Sequence, residues 1–174
     1  MKVYIVRHGQ VLHNALKQYN TKDEDLTDLG VKQAEELRDK IKNIKFDIVI
    51  SSPLLRAVHT EDILTNHDGS LITDDRLRER SCGNLSGMPT SVTNREEYWN
   101  YYAITRYGTS EDIQVFFKRV YDFLDELKMK NYEKVLIVAH SGVSKAFSGY
   151  FEGIQDGKFL HRGLKNCEMK EYEF

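Results

Sequence analysis

The chain has 174 residues, 40% hydrophobic and 30% charged, with a formal charge of -2 at pH 7. Those values suit a single globular domain over residues 1–174 with a full core. A near-neutral balance gives no reason to expect a nucleic-acid or membrane partner, which usually needs a basic face, and no run reaches the ~20 apolar residues of a membrane span.

The first element is the short apolar run Val3-Tyr4-Ile5-Val6, which reads as a buried parallel strand. It stops abruptly at Arg7-His8-Gly9-Gln10. Leu26-Thr27-Asp28-Leu29-Gly30 then opens a helix, with Thr27 as N-cap. The helix is expected to run to about Asn43, with Leu26, Leu29, Ala34, Leu37 and Ile41 facing inward. Asp47-Ile48-Val49-Ile50 is a second strand, ending in Ser51-Ser52-Pro53. There Ser52 is expected to cap a helix, Pro53 to take its first position, and Arg56 to lie in its first turn. Leu54, Ala57, Val58 and Leu64 would face inward.

His67-Asp68-Gly69-Ser70 breaks the chain, and Leu71-Ile72-Thr73 reads as a weak third strand. Residues 77–87 have neither period and contain two glycines, which suggests an ordered loop. Residues 88–108 carry Tyr98, Trp99, Tyr101, Tyr102 and Tyr107 among polar residues. That stretch reads as a short helix packed on the body, with a lid over the site as the alternative. In the lid reading, Trp99 and Tyr102 would contact the leaving group. Ser110-Glu111-Asp112 opens the clearest helix, with Ile113, Phe116, Phe117, Val120, Phe123, Leu124 and Leu127 at helical spacing. Val135-Leu136-Ile137-Val138 is another buried strand, followed by His140 and a helix bearing Val143, Ala146, Phe147, Tyr150 and Phe151. Asn166 to Phe174 alternates imperfectly and reads as an edge strand.

Cys82 and Cys167 are far apart and form no CxxC pair, which fits packed thiols in a reducing compartment. The first apolar run meets Arg7 too soon for a signal peptide, so the expected location is cytoplasmic.

Three apolar strands thus end in Arg7-His8, in Ser51-Ser52 with Arg56 behind, and in His140. In a parallel sheet these ends share one edge, where ligands bind. The expected result is a cluster of two arginines and two histidines. Forked guanidiniums match a phosphate dianion, and helix N-termini add N–H donors. Such a pocket stabilises charge as a phosphoryl group moves. A neutral imidazole within it can act as nucleophile, and a carboxylic acid would then protonate the leaving oxygen. Glu79 is one candidate among many acids. His13, His59, His67 and His161 read as structural. A metal site on His8 and His140 lacks support, because the chain has no HxxxH, no HxxEH and no cysteine pair.

Several motifs recur in one order along nearly the whole chain: Arg7-His8-Gly9, Leu26-Thr27 with Gly30 and Gln33-Ala34, Ser51-Ser52-Pro53-Leu54-Leu55-Arg56-Ala57 with Thr60, Leu77 with Glu79, Gly83 and Gly87, Val138-Ala139-His140, and Asn166-Cys167. In these the chain resembles the histidine phosphatase superfamily, the phosphoglycerate-mutase-like proteins. The resemblance implies a three-layer α/β/α sandwich with a mostly parallel sheet and an antiparallel edge strand. It also implies roles. His8 would accept the phosphoryl group; Arg7, Arg56 and His140 would hold its oxygens; Asn14 would add a donor. Glu79 would protonate the leaving group and then help to activate water. No cofactor and no metal are implied, and the partner would be a small phosphorylated substrate.

Four positions depart from the family pattern. Val11 stands where a Thr is usual, His13 where an aromatic is frequent, Ser141 where the first Gly of HGG falls, and Ser86 where an acid precedes Gly87. None belongs to the expected core set. Hydrolysis is favoured over mutase-type transfer, because the chain ends just after its last strand and Arg95 and Arg106 sit beside Glu96 and Glu97. A non-catalytic phosphate-binding module is the reading outside enzymes.

Overall fold

The computed structural model describes residues 1–66 and 71–174. Among them are strands β1 (Lys2–Arg7), β2 (Ile48–Ser51), β3 (Lys134–Ala139) and β4 (Met169–Glu173). Helices α1 (Leu12–Ala15), α2 (Asp28–Ile41), α3 (Leu55–Thr65), α4 (Arg95–Tyr98), α5 (Ile113–Leu127) and α6 (Ser141–Glu152) connect and flank them. The sheet order is β2-β3-β1-β4. β3 pairs parallel with both β1 and β2, and β4 runs antiparallel along β1.

Side chains alternate across a strand, so each central strand feeds two cores. Tyr4, Val6, Leu136 and Val138 pack with Leu37 and Ile41 of α2 and with Ala57 and Leu64 of α3. Val3, Ile5, Val135 and Ile137 pack with Phe116, Phe117 and Leu124 of α5 and with Val143 and Phe147 of α6. The α/β/α layering and the antiparallel edge strand therefore agree with the sequence reading.

Helix starts follow local chemistry. Thr27 Oγ1 accepts the Gly30 N–H at 3.1 Å and starts α2. Leu29, expected inward, is exposed, since it lies one residue (about 100° of rotation) before the inward-facing Gly30. α5 starts at Ile113 rather than Ser110 because Asp112 Oδ1 accepts the N–H groups of Gln114 and Val115. α3 starts at Leu55, so Pro53 is not its first helical residue and Ser52 is not its cap. Ser52 Oγ accepts the Leu54 N–H at 3.3 Å in the turn ahead of the helix and also meets His140 Nε2 at 2.7 Å.

Leu71–Thr73 forms no strand. Thr73 makes a single bridge to Ser51, and Leu71 and Ile72 are exposed. Asp74 then accepts the Arg76 N–H and turns the chain into a 3-10 turn at Asp75–Leu77. The expected break at 67–70 and His67 lie outside the described residues. Residues 77–87 are an ordered loop, anchored by buried Leu77 and Leu85. Residues 88–108 pack on the body, with Tyr98 and Trp99 buried. Two cross-links hold them there: Tyr101 N–H donates to Gly157 O, and Phe159 N–H donates to Trp99 O. Tyr102 is 57% exposed and lies against Gly157, away from the site, so the expectation that it contacts a leaving group is not met. Among the described residues no helix is long and apolar enough to cross a membrane.

The first loop crosses the start of α2 through a glycine pair. A Cβ on Gly9 would stand 2.4 Å from Gly30 O, and one on Gly30 would stand 2.2 Å from Gln10 O. Both obstacles are backbone, which cannot swing aside. Gly9→Ala is therefore expected to cost about 1–3 kcal/mol by overpacking, read from the midpoint of urea unfolding at unchanged m-value.

Candidate active site

The register aligns the strand ends. Arg7 stands opposite Ala139, and Ser51 opposite Val138. The ladder continues one residue further, since His8 N–H donates to Ala139 O and Ser52 N–H to Val138 O, each at 2.9 Å. His8, His140 and Ser52 are thereby fixed by the sheet itself. The two imidazole rings lie 5.1 Å apart, edge to face.

His8 is almost fully buried, and its Nδ1 lies 2.7 Å from the Gly9 carbonyl. A carbonyl only accepts, so Nδ1 carries the proton and Nε2 keeps a lone pair. Burial first, then the charges of Arg56 and Arg7, push this imidazole well below its ordinary value. It is neutral at pH 7. His140 is held down by burial, Arg56, His8 and Arg7. Its Nε2 meets Ser52 Oγ at 2.7 Å, while its Nδ1 is buried without a partner among the described residues.

Two guanidiniums face this pair. Arg7 donates through Nη1 to Leu164 O at 3.0 Å, and Arg56 through Nη1 to Thr21 O at 3.0 Å. The Nε of each is buried without an acceptor among the described residues. Burial draws both arginines below their ordinary value and Glu79 pulls them back; arginine remains charged throughout. Arg56 is set by its own helix: Thr60 Oγ1 donates to Arg56 O and accepts the Gly9 N–H, tying α3 to the first loop.

Glu79 arrives from the 77–87 loop. Its Oε1 accepts the Arg80 N–H at 2.8 Å and its Oε2 the Gly142 N–H at 3.0 Å, at the start of α6. A Cβ on Gly142 would stand 2.0 Å from Oε1, so this contact requires glycine. Arg119 of α5 binds the loop from behind, donating to the carbonyls of Arg76, Arg78 and Glu79. Asn14 and Asn166 complete the rim: Asn166 Nδ2 bonds both His8 O and Asn14 Oδ1.

These groups surround a cavity of about 730 Å³. Arg7, Asn14, Arg56 and Glu79 line it, whereas His8 and His140 lie behind that lining. All six residues singled out from the sequence thus converge on one place. Among the departures, Val11 is buried and bridges to Leu26, and Ser86 and Ser141 line the cavity. His13 pairs with Glu24, His59 with Asp25, and exposed His161 with Glu96. Among the described residues no three His, Cys, Asp or Glu side chains gather as metal ligands.

Residues 3–174 match the family model described as the histidine phosphatase superfamily (branch 1). The chain belongs to that superfamily. It is 34% identical over 161 residues to a Hydrogenobacter thermophilus protein named "Putative phosphoserine phosphatase 2", covering 88% of this chain and 79% of that one. It is 28% identical over 183 residues to the Yersinia pestis "Probable phosphoglycerate mutase GpmB", covering 100% of this chain and 85% of the relative. The crystal structure of the α-ribazole phosphatase from Shigella flexneri superposes with a TM-score of 0.83 at 25% identity, covering 98% of this chain and 89% of that one.

Two residues at the site of this superfamily member escaped the sequence reading, Ser52 behind the cavity lining and Lys145 on its wall, and Trp99 was expected there only in the lid alternative. Ser52 was read only as a cap. Trp99 forms a wall, with an indole N–H buried and unpartnered among the described residues. Lys145 of α6 is 3% exposed and lines the same wall. Its signal was a lysine flanked by inward-facing Val143, Ala146 and Phe147. Burial, with Arg95 and Arg7 nearby, lowers its ammonium from 10.5 to about 7, against the pull of Glu79. The unfolded chain therefore binds more protons between pH 7 and 10.5, and this lysine makes stability rise with pH in that window. Lys145→Met is expected to flatten that rise, as read from unfolding midpoints at pH 7 and 9.5.

Proposed function

We propose that this protein is a phosphomonoester hydrolase that works through a phosphohistidine on His8 and needs no metal. The observation that carries the reading is the fixed tautomer of a buried neutral His8 that keeps its Nε2 lone pair, its ring 5.1 Å from that of His140 and under the charges of Arg56 and Arg7. The phosphoryl group enters from the cavity, its oxygens held by the two guanidiniums, His140 and Asn14. The Nε2 lone pair attacks phosphorus and the bond to the leaving oxygen breaks. Glu79 gives that oxygen its proton. Each Glu79 oxygen accepts one backbone N–H and keeps a second lone pair for this work. Water then attacks the phosphohistidine, Glu79 takes a water proton, the N–P bond breaks, and inorganic phosphate leaves. The forked donors and the α6 N-terminus meet the charge that develops on phosphoryl oxygens in both steps.

A relative named for phosphoserine hydrolysis and a solved structure named for α-ribazole phosphate hydrolysis support a hydrolase. A relative named as a phosphoglycerate mutase supports a second reading, transfer from His8 to another acceptor. One assay separates them. Purified protein in EDTA is given p-nitrophenyl phosphate, and released phosphate is counted against p-nitrophenol. Equal release is the result expected of a hydrolase. No turnover here, with interconversion of phosphoglycerates in a parallel assay, would replace it with the mutase reading.

A further inference from the structure

We propose that Lys145 and Arg95 form a second anion subsite on the Trp99 wall of the cavity, which takes a carboxylate or phosphate group carried by the leaving group. The proposal builds on the reading of His8 as the reacting end, but its binding test does not require turnover.

Nine Lys and Arg side chains line the cavity against one carboxylate, Glu79, in a chain whose overall charge is -2. Arg7 and Arg56 belong to the reacting phosphoryl group. Arg80 is already used by the carbonyls of Tyr98 and Glu111. Lys145 and Arg95 are different. Lys145 Nζ donates to Phe159 O at 2.8 Å and Leu160 O at 2.5 Å, which leaves one of its three N–H groups over. Arg95 donates through Nη1 to the Tyr19 hydroxyl at 3.2 Å. Neither has a carboxylate partner among the described residues. Burying a lysine without one is costly, which argues for a use.

The sequence hid this because Glu96 and Glu97 seemed to cancel Arg95. In the fold Glu97 is turned to Thr105 and Tyr107, and Glu96 to His161. The short α4 instead places Arg95 and Trp99 one turn apart on the face toward the cavity. The Lys145 ammonium lies 5.1 Å from the Trp99 ring centre, and the buried indole N–H adds a third donor to the wall. The charges facing Lys145 are Glu79, Arg95 and Arg7. An anion between Lys145 and Arg95 relieves the repulsion of two like charges. Exposed Lys17, Lys22 and Lys165 at the rim draw such substrates in.

The test is calorimetric binding to His8→Ala at pH 6.5, with matched ligand pairs. His8→Asn, which keeps a donor toward the Gly9 carbonyl, is a second host. One arm compares 3-phosphoglycerate with glycerol 3-phosphate and asks for a carboxylate. The other compares propane-1,3-diol bisphosphate with propyl phosphate and asks for a second phosphate. The charged member is expected to bind about tenfold tighter or more in one arm, which names the anion. Adding Arg95→Gln or Lys145→Met should shrink that ratio to within about threefold; half-buried Arg95 makes the first of these a mild change to the fold. Equal binding in both arms, or a ratio that survives both substitutions, overturns the subsite. A clear ratio in a protein whose wild type turns over no phosphomonoester would leave the subsite standing and remove the hydrolase reading.

Discussion

His8→Ala is expected to lower kcat for any phosphomonoester to below about one-thousandth of wild type, a barrier increase of ~4 kcal/mol or more. The size follows from what is removed. The imidazole supplies the lone pair that attacks the substrate phosphorus in the proposed chemistry. A water in its place would have to attack without the short reach and fixed orientation that the sheet gives to Nε2. Arg7, Arg56 and His140 would still hold phosphate, so KM should change far less than kcat. Inorganic phosphate inhibition, measured beside kcat, checks that the pocket survives. A variant that keeps a tenth of its activity would mean that His8 only binds.

Glu79→Gln is expected to have the second-largest effect, and one that depends on the substrate. General acid catalysis contributes about 10²–10⁴-fold when the leaving oxygen is a poor leaving group. For an alkyl phosphate, kcat/KM, which ends at transfer to His8, should fall by that amount. For p-nitrophenyl phosphate, whose leaving group needs little protonation, the fall in kcat/KM should be about tenfold or less, while kcat falls for both because Glu79 also activates water. The comparison matters because Gln also disturbs structure. Its amide can accept from only one of the two N–H groups, of Arg80 and Gly142, that the carboxylate now satisfies. A purely structural loss would slow both substrates alike. Equal losses of kcat/KM across leaving groups would therefore remove Glu79 from the role of leaving-group acid.

The strand ends were legible because each changes within one residue from an apolar run to a charged or small polar one. Val6 to Arg7, Ile50 to Ser51 and Ala139 to His140 mark the sheet edge at which the strand register aligns them. The Thr27 cap and the apolar stripe of α5 were legible for similar local reasons. The misreadings arose where a side chain answers to a distant partner. Ser52 had the composition of a cap, and its Oγ does accept the Leu54 N–H, but the same hydroxyl also meets His140, 88 residues away in sequence. Leu71 and Ile72 read as strand, but the run meets the sheet only around Ser51, in a single bridge at Thr73, and both side chains stay exposed. Lys145 looked like an ordinary polar helix position, because only the arrival of Phe159, Leu160 and Trp99 makes that face an interior one. The Arg95 charge seemed neutralised by its neighbours until α4 turned them apart.

The most direct test of the proposed chemistry is acid-quench or rapid-quench mass spectrometry of the wild-type protein during turnover of p-nitrophenyl phosphate, with peptide mapping under conditions that preserve phosphohistidine. A phosphoryl adduct on the peptide containing His8, formed within one turnover and absent from His8→Ala, is the expected result. Turnover at an undiminished rate with no adduct at His8 would contradict it, and would mean that water attacks the substrate directly in the arginine-histidine pocket.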